Sequence, residues 1–274
     1  MRKATLIKMN EHELPTAAFE WVEPGQAQLW IDDALPNRNE KSRFIDQYAD
    51  VITRDDWLPT DQGIGFNREG RLINGKHRLQ AIVKAQKGVL LLVVRGLSDR
   101  SRLVMDQGNK RSAHDQIKLA EGFDVNTVQV STARSMITSV GGPGDRERSA
   151  LVRDIQLLDR YYVKHRKAIE FAVGNFSLGH ATVKGVTIAP VFAPVARAYY
   201  TQDRNELARF VEVVATGMSA EGISSKDTAA VVLRNYLIAG RDKGLSSRAH
   251  GDRYLIYKKT EIALHAFLKG DHIQ

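Results

Sequence analysis

Asn74-Gly75-Lys76-His77-Arg78 is the run in this chain whose residue types and spacing suit chemistry on an anion. A glycine lets the backbone turn sharply without a Cβ, and helical apolar spacing begins just beyond it, at Leu79, Ile82 and Val83. The first amides of a helix lack intrahelical acceptors and lie at the positive end of its dipole, so they point at an anion. His77 and Arg78 add side-chain donors there, and the run is suited to phosphate. The plain alternative is a helix start with a solvated His-Arg pair. A second polar segment, Asp106 to Arg111 with Gly108 at its centre, offers another edge to such a pocket. Asp106 would hold Mg²⁺, polarise a nucleophile or merely cap a helix, and Lys110 or Arg111 would neutralise phosphate charge.

The elements that must position these groups are legible around them. Gly63 to Phe66 and Arg71 to Ile73 are short β-type runs, and the turn-forming residues Asn67 to Gly70 join them into a hairpin leading into the helix from His77 to about Gln86. Lys87-Gly88 is expected to stop that helix. Val89 to Val94 is apolar without alternation, which predicts a strand covered on both faces.

Gly75-Lys76-His77-Arg78, set between a hairpin and a helix, resembles the Gly-x-His-Arg or Gly-x-Arg-Arg phosphate motif of the ParB/sulfiredoxin superfamily. Asn37-Arg38 upstream, Trp57, Leu90 to Arg95, and Met105 to Arg111 complete a layout similar to phage- and plasmid-type ParB-like domains over about the first 122 residues. The resemblance implies a nucleoside triphosphate, ATP or CTP, as ligand, with Asn37 and Arg38 shaping the pocket. Members of that superfamily differ in reaction, so the resemblance names a ligand class better than an activity. Partition-type members carry two consecutive arginines where this chain has His77-Arg78. Sulfiredoxins need a cysteine where Lys76 stands, and this chain has no cysteine; sulfinic-acid reduction is excluded.

Composition bounds the rest. The 274 residues suffice for one large domain or two ordinary ones. The absence of cysteine removes disulfides, thiolate zinc sites and cysteine nucleophiles, and the eight histidines show no metal-ligand spacing, so no structural metal is expected. Mg²⁺ carried by a nucleotide is still compatible. No run approaches the roughly 18 apolar residues of a membrane span, and the first residues lack the apolar core of a signal peptide, so a cytoplasmic protein without membrane contact is expected. A net charge of +8, from 40 basic and 32 acidic residues, favours nucleic acid as a partner.

Along the chain, Ala17 to Val22 reads as a strand. Helices are expected through Ala27 to Ile31, through Phe44 to Val51 with Asn39 as cap, and from Ala113 to Glu121 with Gly122 as stop. Ser98 is expected to cap a helix reaching Met105. From Phe123 onward the pattern is helical: Leu151, Ile155, Leu158 and Tyr162 on one face, Leu207, Phe210, Val211 and Val214 on another, Asp203 with Glu206 as a capping pair, Gly217 and Gly240 as stops, and a last helix from Arg253 to Leu268. Residues 141–149 read as a loop. Lys258-Lys259, with Ser247-Arg248, would touch a nucleic-acid backbone or simply form a solvated helix face.

The expected fold class is therefore α+β: a ParB/sulfiredoxin-like small mixed sheet with helices over residues 1–122, followed by an all-helical domain over 123–274. The expected function is nucleotide binding at Asn37, Arg38, Asn74, Gly75, Lys76, His77, Arg78, Lys110 and Arg111, acting on or with DNA. If the chain is an enzyme, hydrolysis or phosphoryl transfer fits, with Asp106, His77 and Glu40 as catalytic candidates and Asp32 and Asp33 as further carboxylates. The alternatives are a nucleotide-switched DNA-binding module, in which the helical half holds DNA or closes a homodimer, and a metal-dependent nuclease.

Overall fold

The computed structural model describes residues 14–34, 42–103, 105, 111–139, 148, 151–177, 183–246 and 249–271. It divides into two compact units, 1–109 and 110–274.

In the first unit the described elements are β1 (Thr16–Val22), α1 (Pro24–Asp32), α2 (Ser42–Thr53), β2 (Ile64–Asn67), β3 (Leu72–Asn74), α3 (Lys76–Ala85), β4 (Val89–Leu97) and a 3₁₀ turn (Asp99–Leu103). The four strands form one mixed sheet in the order β1-β4-β2-β3. β1 runs antiparallel to β4, from Thr16 opposite Arg95 to Val22 opposite Val89. β2 lies parallel to β4, with Ile64 opposite Val93, and forms an antiparallel hairpin with β3. All four strands expected from the sequence are present, within a few residues of their expected ends.

The core of this unit joins one sheet face to the helices. Val22, Ile64, Phe66, Val89, Leu91 and Val93 meet Ala27, Ile52, Leu79 and Ile82. Both α1 and α2 pack on α3, so α3 is the helix that the other two hold against the sheet. The expectation that β4 is covered on both faces is not met. Val89, Leu91 and Val93 are buried, whereas Leu90, Leu92 and Val94 are half-buried. Opposite them on β1, Phe19 and Trp21 are 54% and 63% exposed. Apolar continuity records here the central position of β4 between two strands, not cover on its second face.

α3 does not end on a glycine. Gln86 takes the left-handed conformation at φ 52°, and its side-chain amide donates to the Val83 carbonyl at 2.6 Å. Gly88 is small for another reason: a Cβ there would lie 2.6 Å from Trp21 Nε1. Ser98 heads a short 3₁₀ turn ending at Leu103.

The second unit is helical throughout its described residues: α4 (Ala113–Glu121), α5 (Thr127–Thr138), α6 (Ile155–Ser177), α7 (Ala189–Ala198), α8 (Arg204–Thr216), a 3₁₀ turn (Ser225–Asp227), α9 (Thr228–Asp242) and α10 (His250–Lys269). α7 is its centre. Pro190 to Ala196 are all buried, and α5, α6 and α10 each pack on it, which is why this helix is apolar all round. α4, expected within the first half, places Ile117 in this second core. Gly122 and Gly217 terminate α4 and α8 in the left-handed conformation at φ 72° and 82°, as their sequence positions predict.

Three details differ from expectation. Leu151 is 43% exposed and lies outside α6; Asp154 starts α6 instead, its side chain accepting from the Gln156 amide at 2.9 Å. Gly240 is inside α9, where a Cβ would come 2.8 Å from Leu245 Cδ2, so its smallness makes room for packing. Asp203 caps α8 by accepting from the Asn205 and Glu206 amides at 2.8 and 3.1 Å, while the Glu206 carboxylate pairs with Lys226. Lys258 pairs with Glu261 at 2.7 Å, and α10 buries Ile256, Tyr257, Leu264 and Phe267. Residues 141–147, 149 and 247–248 lie outside the described residues. No described helix is long and apolar enough to cross a membrane.

Candidate phosphate site

The site is built at the junction of β3 and α3. Asn67 organises the hairpin that leads to it: its side-chain oxygen accepts from the Arg71 amide at 2.7 Å, and its side-chain nitrogen donates to Asp99 at 2.9 Å. Gly70 closes the turn with φ 80°, its amide donating to the Asn67 carbonyl at 3.1 Å. Asn74 then stands opposite Gly65 and ends the strand.

Gly75 follows in the left-handed conformation at φ 94°. Only glycine fits. A Cβ would lie 2.4 Å from Ile64 Cγ2, and Ile64 is a buried residue of β2. As N-cap, Gly75 has no side chain to bond the first amides of α3; its carbonyl accepts instead from the Arg78 and Leu79 amides at 2.9 and 3.3 Å.

Lys76, His77 and Arg78 occupy the first turn, and all three are half-buried. No acidic residue shares that turn. Helices ordinarily place carboxylates at this positive end and cations at the other, so this arrangement concentrates positive charge where the backbone already supplies it. Arg78 is held in place: Nη1 donates to the Gly63 carbonyl at 3.0 Å and Nη2 to Gln62 at 3.4 Å, with the guanidinium 6.0 Å from the Tyr48 ring centre. The His77 ring meets Phe44 edge-on at 6.3 Å. Lys84, two turns on, pairs with Asp46 at 2.6 Å. α2 therefore braces α3 along its length. The sequence reading places Gly63 in a strand and Tyr48 in a helix but gives neither, nor Gln62, a role beside Arg78; an Arg that follows a glycine-flanked hairpin is the one signal for it.

The structure brings Asn74, Gly75, Lys76, His77 and Arg78 together. Arg111 belongs to the second unit, immediately before α4, where its carbonyl accepts from the Gln116 side chain at 3.0 Å. Asn37, Arg38, Glu40, Asp106 and Lys110 lie outside the described residues. Asp32 and Asp33 are exposed at the end of α1, Asp32 accepting from Gln28 at 2.7 Å and Asp33 lying 4.0 Å from Arg71. Among the described residues no group of three or more His, Asp or Glu is arranged to hold a metal ion. A cleft between Trp21, Trp57, Lys87 and Gly88 lies past the opposite, C-terminal end of α3 and is separate from this junction. Comparison with protein-family models, with curated proteins and with solved structures finds no match to this chain.

Proposed function

We propose that the chain binds the phosphates of a nucleoside triphosphate at the start of α3 and works on or with DNA. The observation that carries this reading is the make-up of that turn, three basic side chain types at the helix end that already carries partial positive charge. A glycine cap with no side chain precedes three half-buried groups, Lys76, His77 and Arg78, with no carboxylate in the turn. A phosphate would accept from the first amides of α3 and from these side chains together, at the end of the helix where its dipole favours an anion. The sequence resemblance to ParB-like proteins points to the same ligand class, and the net charge of +8 supports a nucleic-acid partner.

With the phosphates held and Mg²⁺ brought by the nucleotide, His77 would serve as a donor to the γ-phosphate or as an acid, and hydrolysis or phosphoryl transfer is the reaction to assay. Retention of nucleotide without turnover would identify a switch instead. Arg78→Ala is expected to weaken triphosphate binding by about 1.5–3 kcal/mol, the range for a charge-assisted hydrogen bond. Isothermal titration calorimetry on the intact chain checks this, with thermal melting to confirm that the variant folds. Equal affinity in a folded variant would refute the assignment.

A further inference from the structure

The helical unit carries a connected run of aromatic rings at the corner between α7 and α8. α7 ends at Ala198, and the chain turns through Tyr199 and Tyr200 against α6. The Tyr161 ring lies 4.4 Å from His165, His165 lies 5.6 Å from Tyr200, Tyr200 lies 5.5 Å from Tyr199, and Tyr199 lies 5.3 Å from Phe171. The Tyr200 hydroxyl and His165 Nδ1 share a hydrogen bond of 3.0 Å, which fixes the ring. Buried aromatic clusters normally close over their rings, yet Tyr200 is 55% exposed. A large apolar ring held rigid and left in water is costly to maintain for packing alone.

Three cations accompany this run. The Arg204 guanidinium stacks 4.4 Å from the Tyr199 ring centre. Arg197 donates to the Met136 carbonyl at 3.3 Å, and Lys164 is exposed one residue before His165. Burial, then Lys164 and Arg197, hold His165 below its ordinary pKa, so the imidazole is neutral at physiological pH. Burial raises the Tyr161 pKa, with Tyr200 acting in the same direction and Arg197 and Arg148 opposing it. Of the carboxylates near these rings in the chain, Glu170 pairs with Arg166 at 2.6 Å, Asp159 lies two residues before Tyr161, and Asp203 is engaged in capping α8.

We infer that this strip is a docking surface for single-stranded nucleic acid, with Tyr200 stacking a base and Lys164, Arg197 and Arg204 meeting the phosphates. Rigid aromatic faces interleaved with cations are the pattern that binds single strands with little sequence preference, because every base has a π-face. The inference gives a surface to the nucleic-acid half of the proposed function and is independent of the phosphate site on α3.

The test is fluorescence anisotropy of a labelled oligothymidine against the intact chain across a salt series, with thermal melts of each variant. Tyr200→Ala is expected to weaken binding by about fivefold to a hundredfold, while Tyr200→Phe, which keeps the ring and loses the hydroxyl bond to His165, stays within about twofold of the wild type. Lys164→Gln should lower the slope of log K against log salt by about 0.7. Wild-type affinity in Tyr200→Ala, or an equal loss in Tyr200→Phe, would overturn the strip while leaving nucleic-acid binding in place. Absence of wild-type binding at low salt to either single strand or duplex would overturn both.

Discussion

Arg209→Met is expected to destabilise the helical unit by about 3–5 kcal/mol at neutral pH, the cost of leaving a buried charge without its partner. The partner is Asp227, whose side chain is fully buried. Its carboxylate accepts from Arg209 Nε at 3.0 Å and Nη2 at 2.8 Å, and from the Ser224 amide and hydroxyl at 2.7 and 2.8 Å. Arg209 also donates to the Gly222 carbonyl at 3.1 Å, so one side chain ties α8 to the turn that begins α9. The Arg209 guanidinium first, with the Ser224 bonds, holds the Asp227 carboxyl down at about 2 against the opposing effect of burial. Because the folded value lies below the unfolded one, near 3.9, the contribution is complete above that value and is lost as pH falls towards about 2. Urea denaturation at neutral pH and near pH 3 should therefore show a large gap between wild type and variant that narrows on acidification. A gap under about 1 kcal/mol at neutral pH, the range of a surface pair, would contradict the argument.

Gly75→Ala is expected to cost roughly 2–6 kcal/mol and to abolish triphosphate binding. Two terms combine: about 1–3 kcal/mol for a side chain in a disfavoured backbone region, and about 1–3 kcal/mol for overpacking. At φ 94° the new Cβ would lie 2.4 Å from Ile64 Cγ2 and 3.0 Å from Ile64 Cα. Ile64 cannot retreat easily, because it is buried and paired with Val93 in the parallel part of the sheet. Gly70 supplies the control. It has φ 80° but open space around its missing Cβ, so Gly70→Ala bears only the backbone term. Chemical denaturation of the two variants isolates the Ile64 contact by difference, and equal losses would show that the collision is absorbed.

What the sequence makes legible here is whatever is decided within a few residues. The four strands, the cap at Gly75 and the stops at Gly122 and Gly217 follow from local turn chemistry and side-chain period. The misread glycines have one cause: a side chain folded back onto the position decides the role. Gly240 reads as a stop until Leu245 is folded onto it, and Gly88 reads as one until Trp21 crosses it. α7 carries Pro194 in its interior, where a proline argues against a helix, yet burial on every side makes one. The same division holds at the site. Gly75 to Arg78 are adjacent in sequence, and their pattern was readable. The groups that aim Arg78, Gln62 and Gly63 from 16 and 15 residues away and Tyr48 from α2, meet it only through the packing of the helices on the sheet.

The claim that the first turn of α3 receives phosphate is tested most directly by titrating the isotopically labelled chain with a nucleoside triphosphate and following backbone amide resonances. The account predicts saturable shifts that are largest at Lys76, His77 and Arg78, reproduced by inorganic tripolyphosphate and absent in Gly75→Ala. Saturable shifts centred anywhere else, with those three amides unmoved, would contradict it.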